Sequence, residues 1–254
     1  MAPRTRTIAQ STQGQLLCGS ASLSWTLSSP PTAPTNLALI AHPYGRLGGS
    51  QHDPVVQALA NRLIEDGWAV CTYDARGVGA STGSPTFTGT AEVEDYQAIV
   101  QRVLLPLLPD PLPPDSKPQL LLSGYSYGSL AASSCLPPAS YSTIRTRHLL
   151  ISYPLSYLWA LTLWRSSTFA STLRNIVASD NADVMAIMGH EDQFTGIETF
   201  RKWKEALEKD GGVAGRFRGV EVEGADHFWR GESLGKFLKE VEGWLGIALS
   251  VDVP

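Results

Sequence analysis

The sequence has few charged residues and no basic bias. Charged residues make up 17% of its 254 positions, and the formal net charge is −4. A nucleic-acid-binding surface needs clustered Lys and Arg, so this composition indicates no nucleic-acid partner. Apolar residues make up 43% of the chain. That content excludes a disordered chain and provides a sufficient core for one α/β domain spanning residues 1–254.

Cysteine is also scarce, and its number is odd. Cys18, Cys71 and Cys135 are widely spaced. Cys71 falls inside a predicted strand, where a buried, reduced thiol is the expected state. These features favour a reducing compartment over secretion, and we expect a cytoplasmic protein.

Long apolar runs are absent as well. The segment from Met1 to Gly14 is polar and lacks an apolar core, so we expect no secretory signal. The longest uncharged stretch, Leu149 to Trp164, is too short for a membrane span and contains Pro154. We interpret it as a buried strand that leads into the wall of an apolar pocket, and we expect no membrane segment.

Short apolar runs alternate with helical patterns along the chain. Strands are predicted at 37–41, 68–73, 120–123, 148–152, 184–188 and 217–222, with helices at 54–66, 92–105, after Thr195 and at 234–245. This alternation predicts an α/β fold with a doubly wound, mostly parallel sheet. Residues 15–27 are expected to add an antiparallel hairpin. Asp53 and Thr195 are the predicted caps of their helices.

The pattern Gly-x-Ser-x-Gly occurs at residues 79–83 and at residues 124–128, and the contexts of these two stretches differ. Residues 79–83 are followed by Ser84 and Pro85, which block an immediate helix. Residues 124–128 follow an apolar run and lead into small residues. A strand–turn–helix of this kind holds a serine in a turn too tight for neighbouring Cβ atoms and exposes its hydroxyl. The sequence therefore predicts Ser126 as a nucleophile and Ser81 as part of a loop.

A serine hydroxyl becomes nucleophilic only when an imidazole accepts its proton. His227 lies between the last predicted strand and the last helix, so it would share a sheet edge with Ser126. We interpret His52, His148 and His190 as structural or solvated. His227 is the predicted base.

The imidazole needs a carboxylate from another strand end. Asp192 follows the strand at 184–188 and meets this condition. Glu191 is one residue early, and Asp226 is adjacent to His227, so both are weaker candidates. Consecutive residues 190–192 diverge and have no matching pair elsewhere, so we expect neither a metal nor a cofactor.

Backbone amides are needed to stabilise the oxyanion that forms during attack on a carbonyl. The Tyr127 amide, directly after Ser126 and at a helix N-terminus, is one predicted donor. The loop at 42–49 is expected to provide the other. Because Pro43 has no N–H, Tyr44 is the natural donor there. A plain Gly-rich turn is the alternative interpretation of this loop.

The motifs together resemble the α/β-hydrolase superfamily, and within it the small serine hydrolases that lack a large cap. The resemblance is carried by residues 42–45, 73–81 and 124–128, and by Gly189-x-x-Asp192 followed by residues 226–228. It implies Ser126 as nucleophile, His227 as base, Asp192 as orienting carboxylate, and Tyr44 and Tyr127 as oxyanion donors. It implies that Asp74 and Arg76 shape their loop. Pro43 is a departure, since many relatives have glycine there.

Relatives place their cap at the position of residues 153–183, and this segment is long enough for a short lid. With Tyr44, Tyr125, Tyr127 and Trp229 it would form an apolar pocket. The alternative is that its aromatic residues pack on the sheet.

The predicted function is hydrolysis of a carboxylic ester, thioester or lactone of a small apolar substrate through an acyl-enzyme. Acyl transfer by the same three residues and a non-catalytic small-molecule receptor are the alternatives. The sequence predicts no oligomeric state.

Overall fold

The computed structural model describes residues 9–113, 116–136, 144–210 and 216–247. Residues 1–8 of the predicted polar N-terminal segment therefore lie outside the described residues. Within the described ranges, the strands are β1 (Gln10–Cys18), β2 (Ala21–Ser29), β3 (Asn36–Ala41), β4 (Ala69–Tyr73), β5 (Gln119–Tyr125), β6 (Arg145–Ile151), β7 (Ala182–Gly189) and β8 (Phe217–Val222). They form one sheet in the order β1-β2-β4-β3-β5-β6-β7-β8.

The sheet is parallel from β4 to β8, and β1 and β2 extend it as an antiparallel hairpin. The predicted α/β fold with a mostly parallel sheet and a leading hairpin is confirmed. β3 reads as a continuous apolar run because both of its faces are covered. Leu37 and Leu39 contribute to the core on one face, while Ala38 and Ile40 contribute to the core on the other.

Helices cover both faces of the sheet. They are α1 (Pro54–Glu65), α2 (Thr90–Ile99), α3 (Gly128–Ala132), α4 (Leu158–Thr162), α5 (Ser166–Val177), α6 (Ile197–Asp210) and α7 (Glu232–Leu245). α1 and α7 bury Val56 and Phe237 in one core layer, and α2 and α6 bury Tyr96 and Phe200 in the other. The Asp53 carboxylate accepts a hydrogen bond from the Val55 amide at 2.9 Å, so the predicted N-cap of α1 is confirmed.

Two helix boundaries differ from the prediction. Thr195 does not cap α6, because its hydroxyl donates to the Tyr153 carbonyl at 3.2 Å and the helix begins at Ile197. The helix predicted to end before Pro106 instead changes form: α2 continues as a π-helical turn over Val100–Leu104 and a 3₁₀ turn over Leu105–Leu107. Pro106 lies in the first turn of the 3₁₀ segment. An N–H at this position would have no acceptor within the helix, so proline loses no hydrogen bond there.

The strand ends also differ. β5 runs on to Tyr125 and β6 begins at Arg145, so His148 lies inside β6 and does not lead it. The longer β5 delivers Ser126 directly at the carboxyl edge of the sheet. No helix in the described part of the chain is both long and apolar enough to cross a bilayer.

Candidate active site

Ser126 occupies a strained turn between β5 and α3. Its φ is +53°, a conformation that non-glycine residues rarely adopt. A Cβ on Gly124 would lie 2.2 Å from the Gly128 carbonyl oxygen, and a Cβ on Gly128 would lie 2.6 Å from the His42 carbonyl oxygen. Both positions therefore require glycine, and the Ser126 amide is held by the Ile151 carbonyl at 2.7 Å.

Ser126, His227 and Asp192 form one chain of hydrogen bonds. Ser126 Oγ lies 3.1 Å from His227 Nε2, and His227 Nδ1 lies 2.6 Å from Asp192 Oδ2. This geometry fits the neutral imidazole with its proton on Nδ1, which donates to the carboxylate while Nε2 accepts from the serine. The three residues follow β5, β7 and β8, so the carboxyl ends of three strands bring them together.

Asp192 is held as a carboxylate by its surroundings. Burial by itself would raise its pKa, but the hydrogen bond from His227 and those from the Phe194 and Thr195 amides outweigh burial and lower the pKa below its ordinary value. Those two amides donate to Oδ1 at 2.8 and 2.9 Å. Of the weaker candidates, Asp226 accepts from the Phe228 amide at 3.0 Å and makes no contact with the imidazole.

Three contacts that position His227 were missed by the sequence reasoning. Gln193 Oε1 accepts from the His227 amide at 3.1 Å, and the Tyr125 hydroxyl donates to the His227 carbonyl at 2.7 Å. The Phe194 ring centroid lies 4.4 Å from that of the imidazole. These residues neighbour Ser126 and Asp192 in sequence, but no motif marks them.

The predicted oxyanion donors Tyr44 and Tyr127 lie together beside Ser126. Their ring centroids are 5.0 Å apart, and both residues line the cavity that contains Ser126. Within the described residues, neither backbone amide donates to a protein acceptor. Their role as oxyanion donors stays a prediction.

The loop that carries Tyr44 is fixed by His42, a role the sequence reasoning did not identify. His42 Nε2 accepts from the Ala75 amide at 2.9 Å, and Nδ1 donates to the Pro43 carbonyl. This pattern requires neutral imidazole, and burial lowers the pKa of His42 accordingly. Asp74 accepts from the Gln51 amide at 2.9 Å and from its side chain at 3.0 Å. These hydrogen bonds hold the loops after β3 and β4 together.

A cavity of about 460 Å³ opens over Ser126 and His227. Its aromatic walls are Tyr44, Tyr125, Tyr127, Tyr157, Phe194 and Phe228. Trp229, predicted as a wall residue, is instead buried in the core, where its Nε1 donates to Ser152 Oγ at 3.1 Å. Outside the hydrogen-bonded chain, Asp53 is the carboxylate that lines this cavity.

The segment at 153–183 serves both of the roles considered for it. Tyr157 and Leu161, in its first half, line the cavity. Phe169 and Leu173 of α5, in its second half, are buried against the sheet. Trp159 and Trp164, which the sequence favours as pocket or core residues, are exposed. Whether this segment moves as a lid stays a prediction.

Ser81 lies in the loop after β4, as predicted, and its hydroxyl is fully engaged. Oγ donates to the Asp74 carbonyl at 2.6 Å and accepts from the Ser24 amide at 2.8 Å. His148 is buried and donates from Nδ1 to the Ala132 carbonyl at 2.8 Å. Among the described residues there is no cluster of three or more His, Cys, Asp or Glu side chains suited to a metal ion.

Comparisons of the sequence with known proteins find a matching family model and a related protein. The family model for X-Pro dipeptidyl-peptidases (S15 family) matches residues 20–134, a region that includes Ser126 and ends before Asp192. An uncharacterized protein from Schizosaccharomyces pombe is 26% identical over 226 residues, which cover 85% of this chain and 88% of that protein.

Solved structures match over almost the whole chain. An α/β serine hydrolase without lid from Xanthomonas campestris has a TM-score of 0.66 at 20% identity, covering 96% of this chain and 97% of that chain. Est1E from Butyrivibrio proteoclasticus, with ferulic acid bound, has a TM-score of 0.66 at 15% identity, covering 91% and 97%. Together with the sheet topology, these matches show that the chain has the α/β-hydrolase fold.

Proposed function

We propose that this α/β hydrolase is a serine hydrolase that cleaves a carboxylic ester, thioester or lactone of a small, largely apolar substrate. The observation that carries the proposal is the hydrogen-bonded chain from Ser126 through His227 to Asp192, which ends at the floor of an aromatic cavity. The names of the structural relatives, which include serine hydrolases and esterases, support the same class.

In the proposed reaction, Ser126 Oγ attacks the carbonyl carbon while His227 Nε2 takes the hydroxyl proton. The carbonyl oxygen becomes an oxyanion, and the Tyr127 and Tyr44 amides donate to it. Asp192 stabilises the imidazolium and keeps Nδ1 oriented. His227 then gives its proton to the departing alcohol or thiol, which leaves Ser126 acylated.

Deacylation repeats these steps with water. His227 takes a proton from water, the hydroxide attacks the acyl carbon, and the oxyanion again faces the two amides. Collapse returns the electron pair to Ser126 Oγ, which regains its proton from His227, and the carboxylic acid leaves. The departing alcohol or thiol thus carries away the serine proton, and a proton from water restores the serine hydroxyl.

Peptide-bond cleavage is the second candidate, because the matching family model is that of X-Pro dipeptidyl-peptidases. The same residues would attack a peptide carbonyl. Hydrolysis of alanyl-proline p-nitroanilide compared with p-nitrophenyl butyrate separates the two candidates. We expect the ester to be the better substrate by kcat/KM, and a preference for the anilide would favour the peptidase.

A fluorophosphonate probe combined with peptide mapping tests the proposed nucleophile. We expect labelling of the peptide that contains Ser126, loss of that label in Ser126→Ala, and normal labelling of the matched control Ser81→Ala. A burst of p-nitrophenol from p-nitrophenyl butyrate should follow the same pattern across the variants. A label on the peptide containing Ser81, or unchanged turnover in Ser126→Ala, would contradict the proposal.

A further inference from the structure

Asp53 has a second role available beyond capping α1. Its Oδ1 accepts from the Val55 amide at 2.9 Å, and His42 and His227 are near enough for a charge on either to lower its pKa. It is half-buried and lines the same cavity as Ser126 and His227. A carboxylate is therefore present where a bound substrate would lie.

No lysine or arginine among the described residues lines this cavity. The guanidinium of Arg230 lies over the Phe228 ring at 4.6 Å. Burial raises the pKa of Tyr127, and Arg46 and Arg76 are near enough to offset part of that rise. Arg230 is exposed and is not part of the lining. His227 is neutral in the hydrogen-bonded arrangement described above. Asp53 is thus the carboxylate among the residues that line the cavity.

The aromatic residues of the lining also favour a positively charged ligand. The faces of Tyr, Phe and Trp rings attract cations through their quadrupole, and alkylammonium groups are the ligands that combine best with an aromatic wall. A carboxylate beside such walls attracts the same charge and repels an anion. Burial also raises the pKa of Asp53, which shows that water solvates this carboxylate poorly. A cation bound nearby would replace that missing solvation.

We propose that Asp53 and the aromatic walls select substrates that carry a positively charged nitrogen, such as a primary or quaternary alkylammonium group, within reach of the scissile bond. The inference rests on the proposed hydrolase function for the reaction itself. The inference that the cavity binds a cation can be tested without turnover.

Two variants separate the charge of Asp53 from its capping role. Asp53→Asn removes the charge but keeps a side-chain oxygen that caps α1, so its melting temperature should stay close to that of the wild type. Asp226→Asn is the matched control, because Asp226 also accepts from the amide two residues ahead of it but does not line the cavity.

Calorimetric titration with choline and its neutral isostere 3,3-dimethylbutan-1-ol tests the binding part. We expect wild-type protein and Asp226→Asn to bind choline about tenfold more tightly than the alcohol, and Asp53→Asn to bind the two within about twofold. Equal affinities in the wild type, no detectable choline binding at millimolar concentration, or a preference that persists in Asp53→Asn would overturn the inference.

The kinetic part compares acetylthiocholine with S-(3,3-dimethylbutyl) thioacetate. The ratio of their kcat/KM values should favour the cation by about tenfold in the wild type and fall to near unity in Asp53→Asn. A ratio that is the same in both proteins would refute charge selection. If neither these thioesters nor p-nitrophenyl butyrate is hydrolysed, the hydrolase proposal fails, and the calorimetry still decides the binding inference.

Discussion

The pattern Gly-x-Ser-x-Gly has opposite backbone conformations at residues 79–83 and at residues 124–128. At 124–128 the serine has the positive φ, and the glycines are there because Cβ atoms would collide with neighbouring carbonyls. At 79–83 the glycines have φ of +54° and +86°, and the serine is not among the residues with positive φ. The Ser126 hydroxyl is hydrogen-bonded to His227, whereas the Ser81 hydroxyl is hydrogen-bonded to two backbone groups. Strain at the serine, not the pattern, distinguishes a candidate nucleophile from a loop anchor.

The largest expected difference between the two serines is in turnover. Ser126→Ala should lower kcat for p-nitrophenyl butyrate by at least about 10⁴-fold, because no other group supplies the nucleophile. Ser81→Ala should change kcat by less than about threefold, since its hydroxyl does not face the cavity. Steady-state kinetics on both purified variants measures this. Comparable losses in the two variants would remove the distinction.

The orienting carboxylate gives the next largest effect. Asp192→Asn should lower kcat by about 10³–10⁴-fold, because the amide no longer favours the imidazole tautomer that accepts from Ser126. Asp226→Asn is the control and should stay near wild type. If the melting temperatures of both variants match that of the wild type, the loss of kcat is not caused by unfolding. A high kcat in Asp192→Asn would assign the orienting role to another group.

Glycine substitutions test the two backbones directly. Gly124→Ala should lower the free energy of unfolding by about 2–4 kcal/mol, because its Cβ would lie 2.2 Å from a backbone oxygen in a packed turn. Gly83→Ala should cost only about 1–2 kcal/mol, since its Cβ meets the Ala21 Cβ at 3.0 Å and the main penalty is the positive φ. Urea unfolding compares the two variants. The reverse order of the two costs would contradict this account of the elbow.

The last prediction concerns pH and the helix behind Ser126. Burial lowers the pKa of His148 to about 4, below its value of about 6.5 in an unfolded chain. The unfolded state therefore binds the proton first, so stability is complete above about pH 6.5 and falls by about 3 kcal/mol as the pH drops to about 4. His148→Gln should show a flatter pH dependence of the free energy of unfolding over this range. An unchanged slope in His148→Gln would show that other groups cause the loss.

The sequence predicts the architecture well because the signals for it are local. Apolar runs, turn residues and the Asp53 cap identify the sheet and α1 without tertiary information. The proximity of Ser126, Asp192 and His227 also follows, because parallel strands deliver their carboxyl ends to one edge. The failures involve side chains whose partners are distant in sequence. Thr195 looks like a cap but bonds to Tyr153.

The sequence also does not predict how single side chains pack. Trp229 lies two residues after His227 and so looks like a pocket residue, yet its indole is buried in the core and donates to Ser152. Asp53 is identified as a cap, but nothing local shows that its carboxylate also borders the cavity. Such features depend on which elements pack together, and periodicity does not encode that.

The segment between β6 and β7 lines part of the cavity but carries none of the proposed reacting groups. Tyr157 and Leu161 contribute to the cavity from this segment, whereas the reacting groups are fixed by the ends of β5, β7 and β8. Variation in the segment can therefore retarget the protein to new molecules without disturbing the attacking hydroxyl. Exchange of this segment between relatives is a direct route to new selectivity on an unchanged reaction centre.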